Sequence, residues 1–205
     1  MFLVKTPLAI KKSFPSLVWD IPNDTKTIYL TFDDGPTPEV TTWVLSVLKK
    51  YDIKATFFVV GENVKKHPEI YQQLINEGHA IGNHTYNHLN GWKTKSFEYL
   101  NNVANCAELV KSNLFRPPYG RIKNTQIKKL KQDYSIIMWD VLSGDFDVNI
   151  SPEKCAENVI EKTKTGSIIV FHDSIKAEKN LKYALPKAIE YLKNQGFVYE
   201  VITEG

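Results

Sequence analysis

The sequence predicts an α/β fold, a distorted and incomplete (β/α) barrel of about seven parallel strands. Short apolar runs alternate with longer amphipathic segments along nearly the whole chain. That alternation is what parallel strands joined by helical crossovers produce. Length supplies the second argument: eight full strand–helix units usually take about 250 residues, and this chain has 205.

The first strand is expected at 28–32, and the residues before it, 1–27, form an arm that Trp19 packs onto the domain at 28–205. A helix follows at 38–50, where Pro38 sits at a tolerated first-turn position and Val40, Val44, Leu45, Val47 and Leu48 form one apolar face. Residues 55–60, rich in Phe and Val, read as strand. A helix at 68–77 is stopped by Gly78, and a short strand covers 79–81. The helix at 96–111 carries Phe97, Leu100, Val103, Ala104, Ala107 and Val110 on one side. Strand 114–116 ends at Pro117-Pro118, helix 125–131 follows, and 134–139 is strand. Ser151 is placed to cap a helix at 152–162. Strand 167–171, a long helix at 177–194 closed by Gly196, and a last strand at 197–202 complete the chain. There is no internal repeat, linker or low-complexity stretch, so a single domain is expected.

Composition excludes several classes of function. Apolar content of 42% and charged content of 24% are ordinary for a globular protein, and a net charge of +3 selects no partner. Lys128, Lys129 and Lys131 read as a solvated helix face, not a nucleic-acid patch. Cys106 and Cys155 lack metal or redox spacing and are expected as free thiols. No signal-peptide pattern and no membrane span are visible. A cytoplasmic monomer is the default expectation, extracytoplasmic if the chain is trimmed.

Parallel sheets and barrels carry reactive groups at the C-terminal ends of their strands. Asp33 and Asp34 follow the first strand, His84 and His88 the third, Arg116 and Tyr119 the fourth, Asp145 the fifth, and His172 with Asp173 the sixth. Adjacent carboxylates repel, a cost made intelligible if a cation uses one and proton transfer the other. His84 and His88 are four apart, so on a helical turn both imidazoles would face one cation, with Asp34 as an oxygen ligand. Two histidines and a carboxylate leave a position open for water and substrate, as in catalytic zinc and related sites. Taken alone, Asp33-Asp34-Gly35 also reads as an acidic turn. The set as a whole points to metal-assisted hydrolysis.

Four motifs make a resemblance specific: Thr31-Phe32-Asp33-Asp34-Gly35-Pro36, His84-Thr85-Tyr86-Asn87-His88, Arg116-Pro117-Pro118-Tyr119 and Val170-Phe171-His172. In this order, over about 28–202, the chain resembles the polysaccharide deacetylase family, also called NodB-homology or carbohydrate esterase 4. The resemblance implies that Asp34, His84 and His88 hold one divalent metal, zinc first and cobalt second. It implies Asp33 as general base for the attacking water and His172 as general acid for the leaving amine. Arg116 would hold Asp33 ionised, Asp145 would pair with His172, and the Tyr119 backbone N–H would help stabilise the oxyanion. The family's usual Asp-x-x-Asp-Trp is replaced by Leu142-Ser143-Gly144-Asp145-Phe146, which keeps the second acid and narrows the aromatic wall of the groove.

Other polar and aromatic residues have plainer readings. His79 satisfies a helix-to-strand junction, and His67 lies at the surface before Pro68. Asp140 and Asp147 are nearby acids without an assigned role, and Trp43 and Trp139 are packing residues. Trp92, in Asn90-Gly91-Trp92 just after His88, is equally a groove residue or packing. The expected substrate is an N-acetylated oligo- or polysaccharide, such as chitin oligomers or peptidoglycan N-acetylglucosamine. O-deacetylation of acetyl-xylan type is the enzymatic alternative, and a silent carbohydrate-binding protein is the non-enzymatic one.

Overall fold

The computed structural model describes residues 2–203. In chain order its elements are α1 (Leu8–Ser13), β1 (Thr27–Asp33), α2 (Val40–Tyr51), β2 (Thr56–Val59), α3 (Gly61–Lys66), α4 (Pro68–Asn76), β3 (Ala80–Asn83) and α5 (Ser96–Ala107). Then come β4 (Leu114–Phe115), a single 3₁₀ turn (Pro118–Gly120), α6 (Asn124–Leu130), β5 (Ser135–Ile136) and β6 (Val141–Leu142). The chain closes with α7 (Pro152–Lys162), β7 (Ile168–His172), α8 (Glu178–Asn194) and β8 (Val198–Tyr199).

All strand pairs are parallel, in the order β5-β4-β3-β2-β1-β7-β6, and β8 pairs the start of β1. Strand β1 is buried along its whole length, as a central parallel strand covered on both faces must be. Its alternate residues divide between two cores. Ile28, Leu30 and Phe32 join Phe57, Phe171 and the apolar faces of α2, α7 and α8 outside the sheet. Tyr29 joins Phe58, Ile168 and Ile137 inside the curl. Thr31 and Asp33 share the face of Tyr29, by the two-residue period of a strand.

The connection between β5 and β6 requires the curl. These two strands lie at opposite ends of the sheet, yet residues 137–140 alone join them. Five Cα steps reach at most ~19 Å, whereas the edges of a flat seven-stranded sheet would stand ~29 Å apart. The sheet is therefore an incomplete barrel, as expected, and its edges do not pair with each other.

The N-terminal residues lie across that seam. Val18 bridges Ile137 beside β5, and Lys5 bridges Val141 in β6. Asp140, buried at the seam, accepts from Lys5 Nζ at 2.5 Å, Lys11 Nζ at 2.5 Å and Ser167 Oγ at 2.6 Å. Asp20 forms a second ion pair with Lys11. Asp140 thus serves arm packing, while Asp147 caps the turn to Asn149.

Several local expectations are corrected. The helices α1 and α3 and the strand β6 had no separate signal, and the 134–139 strand is ladder-paired only at Ser135–Ile136. Asp145 consequently follows β6, the sixth strand, and His172 is the last residue of β7, the seventh. Residues 84–88 are not helical, because Thr85 and His88 take positive φ values of 64° and 55°. Both cysteines are free and buried, and burial pushes their thiols up, Cys106 to about 12. No helix among the described residues is long and apolar enough to cross a membrane.

Candidate active site

Register brings the reactive groups together. Asp33, at the end of β1, is the ladder partner of His172 on β7, and Asn83, next to His84, pairs with Phe115, next to Arg116. The connecting loops then bend sharply: Asp34, Thr85, His88 and Tyr119 all have φ between 55° and 85°. Left-handed backbone is unfavourable for such residues, above all β-branched Thr85, and costs roughly 1–3 kcal/mol each where the surroundings enforce it.

Arg116 is fully buried inside the curl, its guanidinium 4.0 Å from the Phe58 ring centroid. Its Nη1 donates to Asp33 Oδ1 at 2.6 Å and to Thr31 Oγ1 at 2.8 Å. Its Nη2 and Nε donate to the carbonyls of Met138 at 2.9 Å and Ile137 at 3.2 Å. Every nitrogen of the cation is engaged, so the buried charge is paid for by hydrogen bonds and one carboxylate.

Asp34, one residue on, faces two imidazoles instead. Its Oδ1 lies 3.1 Å from His88 Nε2 and 3.8 Å from His84 Nε2. Burial alone would raise this carboxyl, but the His88 hydrogen bond and the nearby imidazoles outweigh it and hold it well below the ordinary range. His84 Nδ1 donates to the Arg116 carbonyl at 2.7 Å, because a carbonyl only accepts. That bond fixes the tautomer and leaves the Nε2 lone pair facing Asp34. Burial brings the His84 pKa down to about 4, so the ring is neutral, as a ligand must be. His88 Nδ1 is held by the Tyr119 hydroxyl at 3.1 Å. One ligand atom from each of Asp34, His84 and His88 lies within 4.8 Å of the others. The donor set fits a divalent metal.

His172 Nδ1 lies 2.7 Å from Asp145 Oδ1, while its backbone N–H donates to Asp145 Oδ2 at 2.6 Å. Asp145 is fully buried. Burial would depress the His172 pKa, but the Asp145 charge and hydrogen bond reverse the sign and push it up to about 9. Phe146 packs edge-on to His172 at 5.0 Å and also meets Phe2 at 5.2 Å. All eight residues given a role from the sequence therefore lie around one rim.

A profile of the family described as polysaccharide deacetylase matches residues 20–134. The chain belongs to the polysaccharide deacetylase family. Among its relatives, a peptidoglycan-N-acetylglucosamine deacetylase of Bacillus cereus is 33% identical, with 92% of each chain covered. A bifunctional xylanase/deacetylase of Pseudobutyrivibrio xylanivorans is 33% identical over 87% of this chain but only 30% of its own length. The structure of the Bc1960 peptidoglycan N-acetylglucosamine deacetylase superposes with a TM-score of 0.88 at 34% identity, covering 96% of this chain and 95% of that one. Polysaccharide deacetylases are hydrolases of the amide bond in N-acetylated sugars, and they use a divalent metal.

Sequence reasoning gave no role to Asp173, which the structure places beneath the Asp34-Gly35 turn. Asp173 is buried, accepts from the Gly35 N–H at 3.0 Å and from Thr41 Oγ1 at 2.6 Å, and so ties the turn to α2. Burial pushes its carboxyl up to about 7 against the pull of the Thr41 bond. A Cβ at Gly35 would stand 2.0 Å from Asp173 Oδ2, which explains the glycine. Asn63 was missed as well; its Nδ2 donates to the Asp34 carbonyl at 2.8 Å. The signal for Asp173 was its place directly after a strand-end histidine.

Proposed function

We propose that this protein is a metal-dependent deacetylase of N-acetylated glycans, chitin oligosaccharide or peptidoglycan-type N-acetylglucosamine, with the peptidoglycan type favoured by the relatives. The observation that carries this reading is one rim holding three chemical units: the Asp34–His84–His88 donor set, the Asp33–Arg116 pair and the Asp145–His172 pair. A divalent cation bound by Asp34, His84 and His88, zinc by this donor set and cobalt as the alternative, supplies Lewis acidity toward water and the acetyl carbonyl.

The chain's own residues supply the proton traffic. Asp33, held in place by the Arg116 guanidinium at 2.6 Å, takes a proton from the attacking water as general base. His172 carries its proton at neutral pH because of Asp145 and gives it to the departing amine. The positive φ of Tyr119, 60°, turns its backbone at the rim, where its N–H serves the developing oxyanion. All of these groups come from one chain, so the site needs no second copy and a monomer stays the default.

A mass-spectrometric screen for acetyl loss over chitin oligomers, peptidoglycan fragments and acetylated xylan tests the reading. Chelated protein should be inactive and regain activity with zinc or cobalt; equal turnover without metal would overturn it. The O-deacetylase reading rests on the xylanase/deacetylase relative and on Phe146 in place of tryptophan. An ester releases an alcohol that needs less protonation than an amine, so His172→Ala should spare ester turnover more than amide turnover. Peptidoglycan lies outside the cytoplasmic membrane, and cell fractionation tests the cytoplasmic expectation.

A further inference from the structure

We propose that Trp92, with Arg121, forms a separate sugar-binding subsite that holds the next part of the same glycan beyond the reacting residue. This rests on the deacetylase reading for its ligand class. Of the four tryptophans, Trp92 alone is exposed, at 55%. Leaving so large an apolar ring in water is unfavourable by default.

Its position is fixed, not adventitious. The indole N–H donates to the Ile122 carbonyl at 2.9 Å, and the backbone N–H donates to Asn90 Oδ1 at 3.0 Å. The preceding Gly91 donates to the Arg121 carbonyl at 3.0 Å and accepts from buried Gln126 at 3.0 Å. The Arg121 guanidinium lies over the indole, 4.0 Å from the ring centroid, and the residue is still more than half exposed. The indole's polar atom is already satisfied. What remains is a rigid π face bordered by a multiple hydrogen-bond donor, which suits the C–H face and hydroxyls of a neutral sugar ring.

The subsite is continuous with the rim. Trp92 is four residues from His88, a reach of at most ~14 Å along the backbone, and Arg121 is two residues from Tyr119. The same two loops already meet once through the His88–Tyr119 ring contact at 4.6 Å. His88 also borders a cavity of about 590 Å³ that reaches Asp34 and Asn63. A chain-like substrate whose reacting unit lies at Asp34, His84 and His88 would meet the Trp92 loop within that reach.

The test compares kcat and KM on N-acetylglucosamine dimer and pentamer for wild type, Trp92→Ala and Trp92→Phe. The pentamer's advantage in kcat/KM should fall about tenfold in Trp92→Ala, mainly through KM, and be largely kept in Trp92→Phe. An unchanged advantage in Trp92→Ala would overturn the subsite. Tryptophan fluorescence gives an arm independent of turnover. In an Asp33→Asn background the pentamer should change the emission, and the change should vanish when Trp92→Ala is added. No emission change overturns the subsite, whereas a Trp92-dependent change without acetyl loss by wild type supports it and removes only the deacetylase reading.

Discussion

Asp33 and Asp34 are sequence neighbours with opposite surroundings, one against a buried guanidinium and the other against two imidazoles. The difference predicts a division of labour. Asp34→Asn should lose bound metal and activity together. Asp33→Asn should keep its metal and lose turnover by about 10²–10⁴-fold, the usual worth of a general base. Metal content by mass spectrometry beside kcat decides it, and equal metal loss in both variants would refute the division. His172 yields a pH prediction. Only its protonated form can act as the acid, and its raised pKa keeps that form present up to about 9. Activity should therefore fall as pH rises through that value. Asp145→Asn removes the group that raises the pKa, so the alkaline limb should move down toward the ordinary 6.5. An unmoved limb would assign it to another group.

At the scale of elements, the β1–α2 turn depends on a side chain from the far end of the chain. Asp173 satisfies the Gly35 N–H and the Thr41 hydroxyl at once. Asp173→Ala should leave both without an acceptor, costing about 1–3 kcal/mol, and should weaken metal binding about 10–100-fold as lost ligand supports do. Thermal melting and metal titration measure the two effects, and unchanged metal affinity would restrict Asp173 to stability. The long elements were legible because each presents a repeated pattern, as on α2 and α8. The two-residue strands β4, β5 and β6 and the six-residue α3 offer too few repeats to show a period. The His84–His88 spacing was read as a helical turn. Positive φ at Thr85 and His88 instead bends a loop that converges the same two rings, to 5.1 Å between centroids.

At the scale of the whole molecule, the open seam between β5 and β6 is covered by the N-terminal residues, with Asp140 as their common anchor. Asp140→Ala should lower the melting temperature, at a cost of about 1–3 kcal/mol once the partial exposure of Lys5 is discounted. It should also speed proteolysis within 1–27, and an unaltered cleavage rate would show that the apolar contacts suffice. The pH dependence has a definite sign. Burial would raise the Asp140 carboxyl, but hydrogen bonds from Lys11, Lys5 and Ser167 outweigh it and lower the pKa. Its stabilisation is thus present above the unfolded carboxylate pKa of about 4 and is lost as pH falls through the lower folded value.

The sequence by itself determined the α/β class, the incomplete barrel, the family and the identities of the eight rim residues. These depend on periodicity, length and motif order, all of which are local along the chain. The Arg116–Asp33 and Asp145–His172 pairings were implied only through the family resemblance, and the tertiary structure decided how they are made and what supports them from beneath. Arg116 meets Asp33 across 83 positions, and Asp173 reaches Gly35 across 138. Partners that distant are set by strand order and register, which no local pattern encodes. The same register gives Asp33 and Asp34 their different neighbours, and with them different chemistry.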